Sequence, residues 1–283
     1  MTIVLPRLSA IASQHDALIC DVWGVVHDGH KAHDGAVEAL RHFARRHGPV
    51  ILLTNAPRLP GDVEKILTRF GAPPDCYDAI VTSGSLARDE LARRSSGNPL
   101  AMLHIGPARD SGVYEGLNVY TADADKAEIV LCTGLYDDET ETPENYRARL
   151  EDLKVKGLTM LCANPDLVVQ RGGKLIHCAG GVAKLYESMG GEVLTFGKPH
   201  PAIYRTVLDE AARIAGRPVE RPLAIGDGAD TDIKGANTMG IDALFVADGI
   251  HAAELGALTL TRLAQFFAVP GVHARYAMRA LVW

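Results

Sequence analysis

Four apolar residues, Ala17–Cys20, are closed by Asp21 and followed at once by a glycine-punctuated loop running to Gly29. No other stretch constrains the fold of this chain as much. The run is too short for a helix and reads as a fully buried strand of a parallel sheet. Asp21 falls where that strand runs out, and Gly24 lets the backbone turn immediately afterwards. In open α/β sheets the carboxyl ends of the strands line the ligand crevice. A carboxylate placed there can attack a substrate or bind a metal. From this stretch alone, an aspartate that merely caps the next turn is the competing reading.

The same pattern recurs along the chain. Leu8–Gln14 are expected as a short leading helix after Pro6, and Asp34 as the N-cap of a helix through about His47, ended by Gly48. Val50–Leu53 read as a second buried strand ending in Thr54-Asn55, Pro60–Phe70 as a helix, and Ala79–Thr82 as a third strand. Alternating strands and helices predict βαβ units with right-handed crossovers, hence a Rossmann-like, doubly wound parallel α/β sheet. From residue 85 to residue 191 the texture changes. This stretch carries its own strand candidates, Leu100–Ile105, Ile129–Cys132 and Thr159–Cys162, and an amphipathic helix, Pro143–Lys154. It reads as an inserted α/β domain, with 1–84 and 192–283 forming the parent core. The parent pattern resumes with strand Val193–Phe196, helix Ala202–Ala215, strand Leu223–Ile225, helix Asp232–Met239 and strand Ala243–Val246. Leu260–Phe267 are expected as a helix and Ala277–Val282 as a closing strand or helix.

Composition excludes several function classes. The 283 residues carry a net charge of −6 with Lys and Arg dispersed, which gives no reason to expect nucleic-acid binding. Arg41, Arg45, Arg46 and His47 fall at helical spacing and read as a solvated face. No apolar run is long enough to span a bilayer, and the N-terminal stretch lacks the uninterrupted apolar core of a signal peptide. The five cysteines are an odd number with no C-x-x-C pair, which points to a reduced, cytoplasmic compartment. Met278, Leu281 and Trp283 are apolar enough to bury, either in the core or at a homo-oligomer contact.

Three further strand ends carry chemistry. Thr54 and Asn55 offer a hydroxyl and an amide to an anionic oxygen, although either is also an ordinary turn residue. Lys198 precedes a helix start, where a cation is electrostatically misplaced unless an anion lies between them. Asp227, Asp230 and Asp232 crowd one turn, and hard, oxygen-preferring Mg²⁺ suits such a cluster. One of the three, Asp230 by its position, could instead cap the following helix. His27, His30 and His33 recur every third residue, but a glycine-rich loop with solvated histidines explains them better than a zinc site.

In order, these stretches resemble the four signatures of the haloacid dehalogenase-like hydrolase superfamily, most of whose members are phosphatases. The matching residues are D-V-W-G-V-V-H-D-G at 21–29, L-L-T-N-A at 52–56, G-K-P-H-P at 197–201 and G-D-G-A-D-T-D-I at 226–233, supported by A-N-P-D at 163–166. The insert is similar to the C2 type of cap found in class IIA, which includes nucleotide and pyridoxal-phosphate phosphatases. The resemblance implies that Asp21 attacks phosphorus to form an aspartyl-phosphate on a small phosphorylated molecule. It implies Mg²⁺ held by Asp21, Asp227 and the backbone carbonyl of Trp23, with Asp232 binding or orienting the metal shell. Thr54 and Asn55 would hold phosphoryl oxygens, and Lys198 would offset the charge around Asp21. Asn164 and Asp166 would sit at the cap–core boundary. Cap loops carrying Arg109, Tyr114, Tyr136, Asp137, Asp138, Gln170 and Arg171 would select the substrate.

The sequence departs from the family pattern at Trp23, where phosphatases usually carry a second aspartate acting as general acid and base. An indole N–H exchanges no proton near neutral pH, and losing a general acid costs about 10²–10⁴-fold. Three readings remain open. The first is a phosphatase whose substrate has a good leaving group, or whose acid comes from His27, Asp28 or the substrate itself. The second is a dehalogenase-like hydrolase, and the third a catalytically impaired binder of a phosphorylated ligand.

Overall fold

The computed structural model describes residues 2–171 and 174–283. The chain divides into two compact units, one of Met1–Thr54, Gly61–Val81 and Lys198–Trp283, the other of Asn55–Pro60 and Thr82–Gly197. Strands β1 (Ile3–Val4), β2 (Ala17–Asp21), β3 (Val50–Thr54) and β4 (Ala79–Thr82) precede the insert. Within it lie β5 (Leu100–Ile105), β6 (Val119–Thr121), β7 (Ile129–Cys132), β8 (Met160–Cys162), β9 (Val168–Arg171), β10 (Lys174–His177) and β11 (Val193–Thr195). Strands β12 (Pro222–Gly226), β13 (Asp242–Val246) and β14 (Tyr276–Met278) follow.

The first unit is built on a seven-stranded sheet ordered β1-β14-β13-β12-β2-β3-β4, parallel from β1 to β3. Every residue of β2 and β3 is buried, as their unbroken apolar runs require. The chain winds outward from β2 through β3 to β4, then restarts on the other side of β2 with β12. That reversal is the topological switch point of an open α/β sheet, where ligands bind at the carboxyl ends of the strands. The helices that cover this sheet include Asp34–Arg46, which buries Ala36, Val37, Leu40 and Phe43.

The second unit carries a five-stranded parallel sheet ordered β11-β8-β7-β5-β6 and an antiparallel β9–β10 hairpin. Alternate residues of β7 serve opposite faces. Val130 and Cys132 pack with Leu150, Leu153 and Tyr186, whereas Ile129 and Leu131 pack with Ala87, Leu91 and Val113. Each such buried aliphatic side chain contributes about 1.5–3 kcal/mol.

Several expectations need correcting. Leu8–Gln14 form two short 3₁₀ turns, not one helix. His33, not Asp34, is the N-cap of the first long helix, and Asp34 is its first residue, where its charge favours the helix dipole. Val193–Thr195 pairs with β8 in the five-stranded sheet rather than joining the parent sheet. The helix expected from Asp232 starts two residues later, at Lys234, after a π-helical turn, Ala229–Ile233. Met278 and Leu281 are buried within their own chain, and Trp283 stacks on His42 at 5.2 Å between ring centres. All five cysteines are free and buried. Among the described residues, no helix is long and apolar enough to cross a membrane.

Candidate active site

At the switch point, β2 ends in Asp21 and β12 ends in Gly226, directly before Asp227. The π-helical turn then carries Asp232 back toward them. One carboxylate oxygen from each of Asp21, Asp227 and Asp232 lies within 4.8 Å of the others, and all three side chains are buried. Among the described residues, no other three His, Cys, Asp or Glu side chains converge in this way. The His27, His30 and His33 series therefore forms no metal cage.

Lys198, 3% exposed and joined to Pro199 by a cis peptide bond, reaches into the cluster. Its Nζ donates to Asp21 Oδ1 at 2.5 Å and to Asp232 Oδ1 at 2.8 Å. The cation expected to need an anion thus has two. Asp232 Oδ2 accepts from the Gly228 N–H at 3.1 Å and from the Thr231 hydroxyl at 3.3 Å, so both of its oxygens are already engaged. Asp227 Oδ2 accepts from the Ile250 N–H at 2.7 Å. Asp230 is exposed, and the helix that starts at Lys234 has no side-chain cap.

The walls of the cluster are backbone. A Cβ on Gly24, whose φ is +84°, would fall 2.0 Å from Asp227 Oδ2, and one on Gly249 would fall 2.1 Å from the same oxygen. Only glycine permits the first position on both counts. The Gly249-Ile250 backbone was not anticipated. Its signal was available, since it follows β13 just as Asp227 follows β12.

Electrostatics follow from the burial. Three carboxylates face one ammonium, leaving two uncompensated negative charges if all are ionised. Desolvation, reinforced by Asp232, holds the Asp21 carboxyl well above the usual carboxylate range. Desolvation and Asp232 likewise push Asp227 up to about 6. Buried charges persist only when paired, so the cluster suits a hard divalent cation with oxygen preference. Each of the three offers it a carboxylate oxygen, and Asp232 also accepts from Lys198 and from the Gly228 N–H of the turn.

Thr54, 6% exposed, ends β3 beside β2, where Leu53 is the register partner of Asp21. Asn55 falls in the other unit, and its Nδ2 donates to Asp166 Oδ1 at 2.8 Å. The amide expected to hold an anion gives one of its N–H donors to a carboxylate. Asn164 Oδ1 accepts from the Asp166 N–H at 3.1 Å, so A-N-P-D is an Asx turn that presents Asp166 to Asn55. Arg171 pairs with Asp138 at 2.9 Å and Glu139 at 3.0 Å, and Arg109 shares Asp138 at 2.6 Å. The Gln170 side chain lies outside the described residues.

Two proposed acids are unsuited to the task. The His27 ring is 4% exposed and packs edge-on against Trp23 at 4.9 Å and Phe70 at 5.1 Å. Its Nδ1 accepts the Gly29 N–H at 3.0 Å, and desolvation lowers its pKa to about 4, so it is neutral at neutral pH. Asp28 is exposed, and the Lys31 and His30 N–H groups that it accepts hold its pKa down, so it is ionised.

Residues 18–119 match a family model described as haloacid dehalogenase-like hydrolase, and residues 195–266 match a related HAD-hydrolase-like model. A D-glycerol 3-phosphate phosphatase of Mycobacterium tuberculosis is 28% identical over 266 residues, covering 87% of this chain and 67% of that protein. A haloacid dehalogenase-like hydrolase structure from Brucella suis is 40% identical, covers 98% of this chain and all of that one, and superposes with a TM-score of 0.87. A glycerol phosphate phosphatase from Mycobacterium tuberculosis, solved in complex with magnesium, is 23% identical with a TM-score of 0.64, covering 89% of this chain and 74% of that one.

Proposed function

This chain belongs to the haloacid dehalogenase-like hydrolases, and from that premise we propose that it is a Mg²⁺-dependent phosphatase of small phosphorylated metabolites, working through an aspartyl-phosphate on Asp21. The observation that carries the reading is the buried meeting of Asp21, Asp227 and Asp232 with Lys198 at the switch point of the parent sheet. The D-glycerol 3-phosphate phosphatase of Mycobacterium tuberculosis named above supports the substrate class. The five-stranded unit is the C2-type cap of class IIA, and five buried free thiols favour a cytoplasmic setting.

Each residue has a role that its position supports. Asp21 is the nucleophile. Lys198 holds one of its oxygens and leaves the other for phosphorus. Thr54, at the neighbouring strand end, donates its hydroxyl to a phosphoryl oxygen. Asp21, Asp227 and the Trp23 carbonyl would hold Mg²⁺, which would supply positive charge to offset that of the phosphoryl group. Asp232 fixes Lys198 and the metal-binding turn. Phosphoryl transfer asks chiefly for such positioning and charge compensation, and a carboxylate nucleophile divides the hydrolysis into two easier steps. The excess of carboxylates over ammonium groups argues against the dehalogenase reading, which needs no metal.

A panel of phosphorylated metabolites and an activated aryl phosphate, assayed with and without Mg²⁺, tests the proposal. Metal-dependent turnover that Asp21→Asn abolishes is expected. Turnover of a haloacid that survives chelation, or Mg²⁺-dependent binding of phosphorylated ligands without turnover, would replace the proposal with one of the other two readings.

A further inference from the structure

We infer that the site acts on phosphoryl compounds whose leaving group departs as a stable anion without taking up a proton: acyl phosphates, phosphoanhydrides, and aryl or enol phosphates. The inference rests on the phosphatase reading and narrows it.

It comes from the loop after Asp21. Val22, Val25 and Val26 are 2%, 2% and 0% exposed, and the Val26 and His27 N–H groups both turn back onto the Val22 carbonyl. The loop therefore folds on itself and buries its three valines. Trp23 stands on it, half-buried, with its ring so close to Gly29 that a Cβ there would meet the indole at 2.8 Å. The His27 ring is wedged between Trp23 and Phe70 with Nδ1 committed to the Gly29 N–H. Asp28 is exposed, its Oδ1 closing the turn by accepting from the His30 and Lys31 N–H groups at 2.9 Å each. Lys198 is committed to Asp21 and Asp232. Among the described residues of this unit, the loop thus supplies structure and an indole face rather than a proton.

With no proton from this loop, the chemistry runs in two steps. In the first step a bond forms between an Asp21 carboxylate oxygen and phosphorus. The bond from phosphorus to the leaving oxygen breaks, and the electron pair departs on that oxygen as an anion. In the second step a water oxygen bonds to phosphorus and the bond from phosphorus to the Asp21 oxygen breaks. Asp21 recovers its carboxylate, and the water protons leave on the phosphate. A carboxylic acid, with a pKa of about 4, or a phenol, at about 10, bears such departure far better than an alcohol. Missing general-acid help costs about 10²–10⁴-fold where protonation is needed.

The test measures kcat/KM of the full chain with Mg²⁺ for acetyl phosphate, a series of substituted phenyl phosphates, and glycerol phosphate. The expected result is rapid hydrolysis of acetyl and nitrophenyl phosphates and a steady fall along the series as the phenol becomes less acidic. Glycerol phosphate should be slower than nitrophenyl phosphate by about a hundredfold or more. A flat series, or glycerol phosphate turned over as fast as nitrophenyl phosphate, overturns the inference while leaving the phosphatase reading intact. No Mg²⁺-dependent turnover of any compound, acetyl phosphate included, overturns both.

Discussion

Replacing Lys198 by methionine keeps the bulk of the side chain and removes the one ammonium bonded to Asp21 and Asp232 in the cluster. With all three carboxylates ionised, the metal-free cluster would pass from two uncompensated negative charges to three, all buried. Removing one partner of a buried ion pair costs about 3–5 kcal/mol, because the remaining charge is left desolvated. That range is the expected loss of unfolding free energy for Lys198→Met at pH 7.5 with chelator present, measured by denaturant titration followed by circular dichroism. The loss should shrink at pH 5.5. Asp227 has a folded pKa of about 6 against an ordinary value of 3.8, and Asp21 is also raised, so the native cluster binds more protons than the unfolded chain as pH falls. Each proton taken up removes a charge that Lys198 no longer offsets. A penalty below about 1 kcal/mol at pH 7.5 would refute this reasoning, as would a penalty identical at the two pH values.

Two further outcomes follow from the same cluster. Gly24→Ala puts a Cβ on a residue with φ of +84° and 2.0 Å from Asp227 Oδ2, so Mg²⁺ affinity by calorimetry should fall about tenfold or more; unchanged affinity in a folded variant would show that Asp227 is not a ligand. Protons compete with the cation for Asp21 and Asp227, so Mg²⁺ should bind more weakly, and raise the thermal midpoint less, as pH falls from 7.5 through 6; a pH-independent shift would contradict that account.

The parent sheet was legible because β2 and β3 are short, wholly buried apolar runs and β12 is buried but for Pro222, each ending in a polar residue or a glycine turn. The same logic marked Asp21, Lys198 and Asp227, whose charges make sense only with partners. Legibility failed where the outcome depends on which neighbour a segment meets. Val193–Thr195 is a strand in any sheet, and nothing in its apolar pattern chooses β8 over the parent sheet. Asn55 is a strand-end amide, but its use on Asp166 is a contact between residues 111 apart in sequence. His27 and Asp28 looked available as acids because spacing does not reveal that their own loop's N–H groups occupy them. The Gly249-Ile250 approach to Asp227 is likewise tertiary, with donor and acceptor 23 positions apart in sequence.

The account stands most directly on the covalent step. Rapid quenching of the Mg²⁺-loaded protein during acetyl phosphate turnover, followed by peptide mass spectrometry, should find one phosphoryl group on the peptide carrying Asp21, absent with chelator and absent in Asp21→Asn. Phosphate released at full rate with no label on Asp21, or a label carried by a different residue, would contradict it.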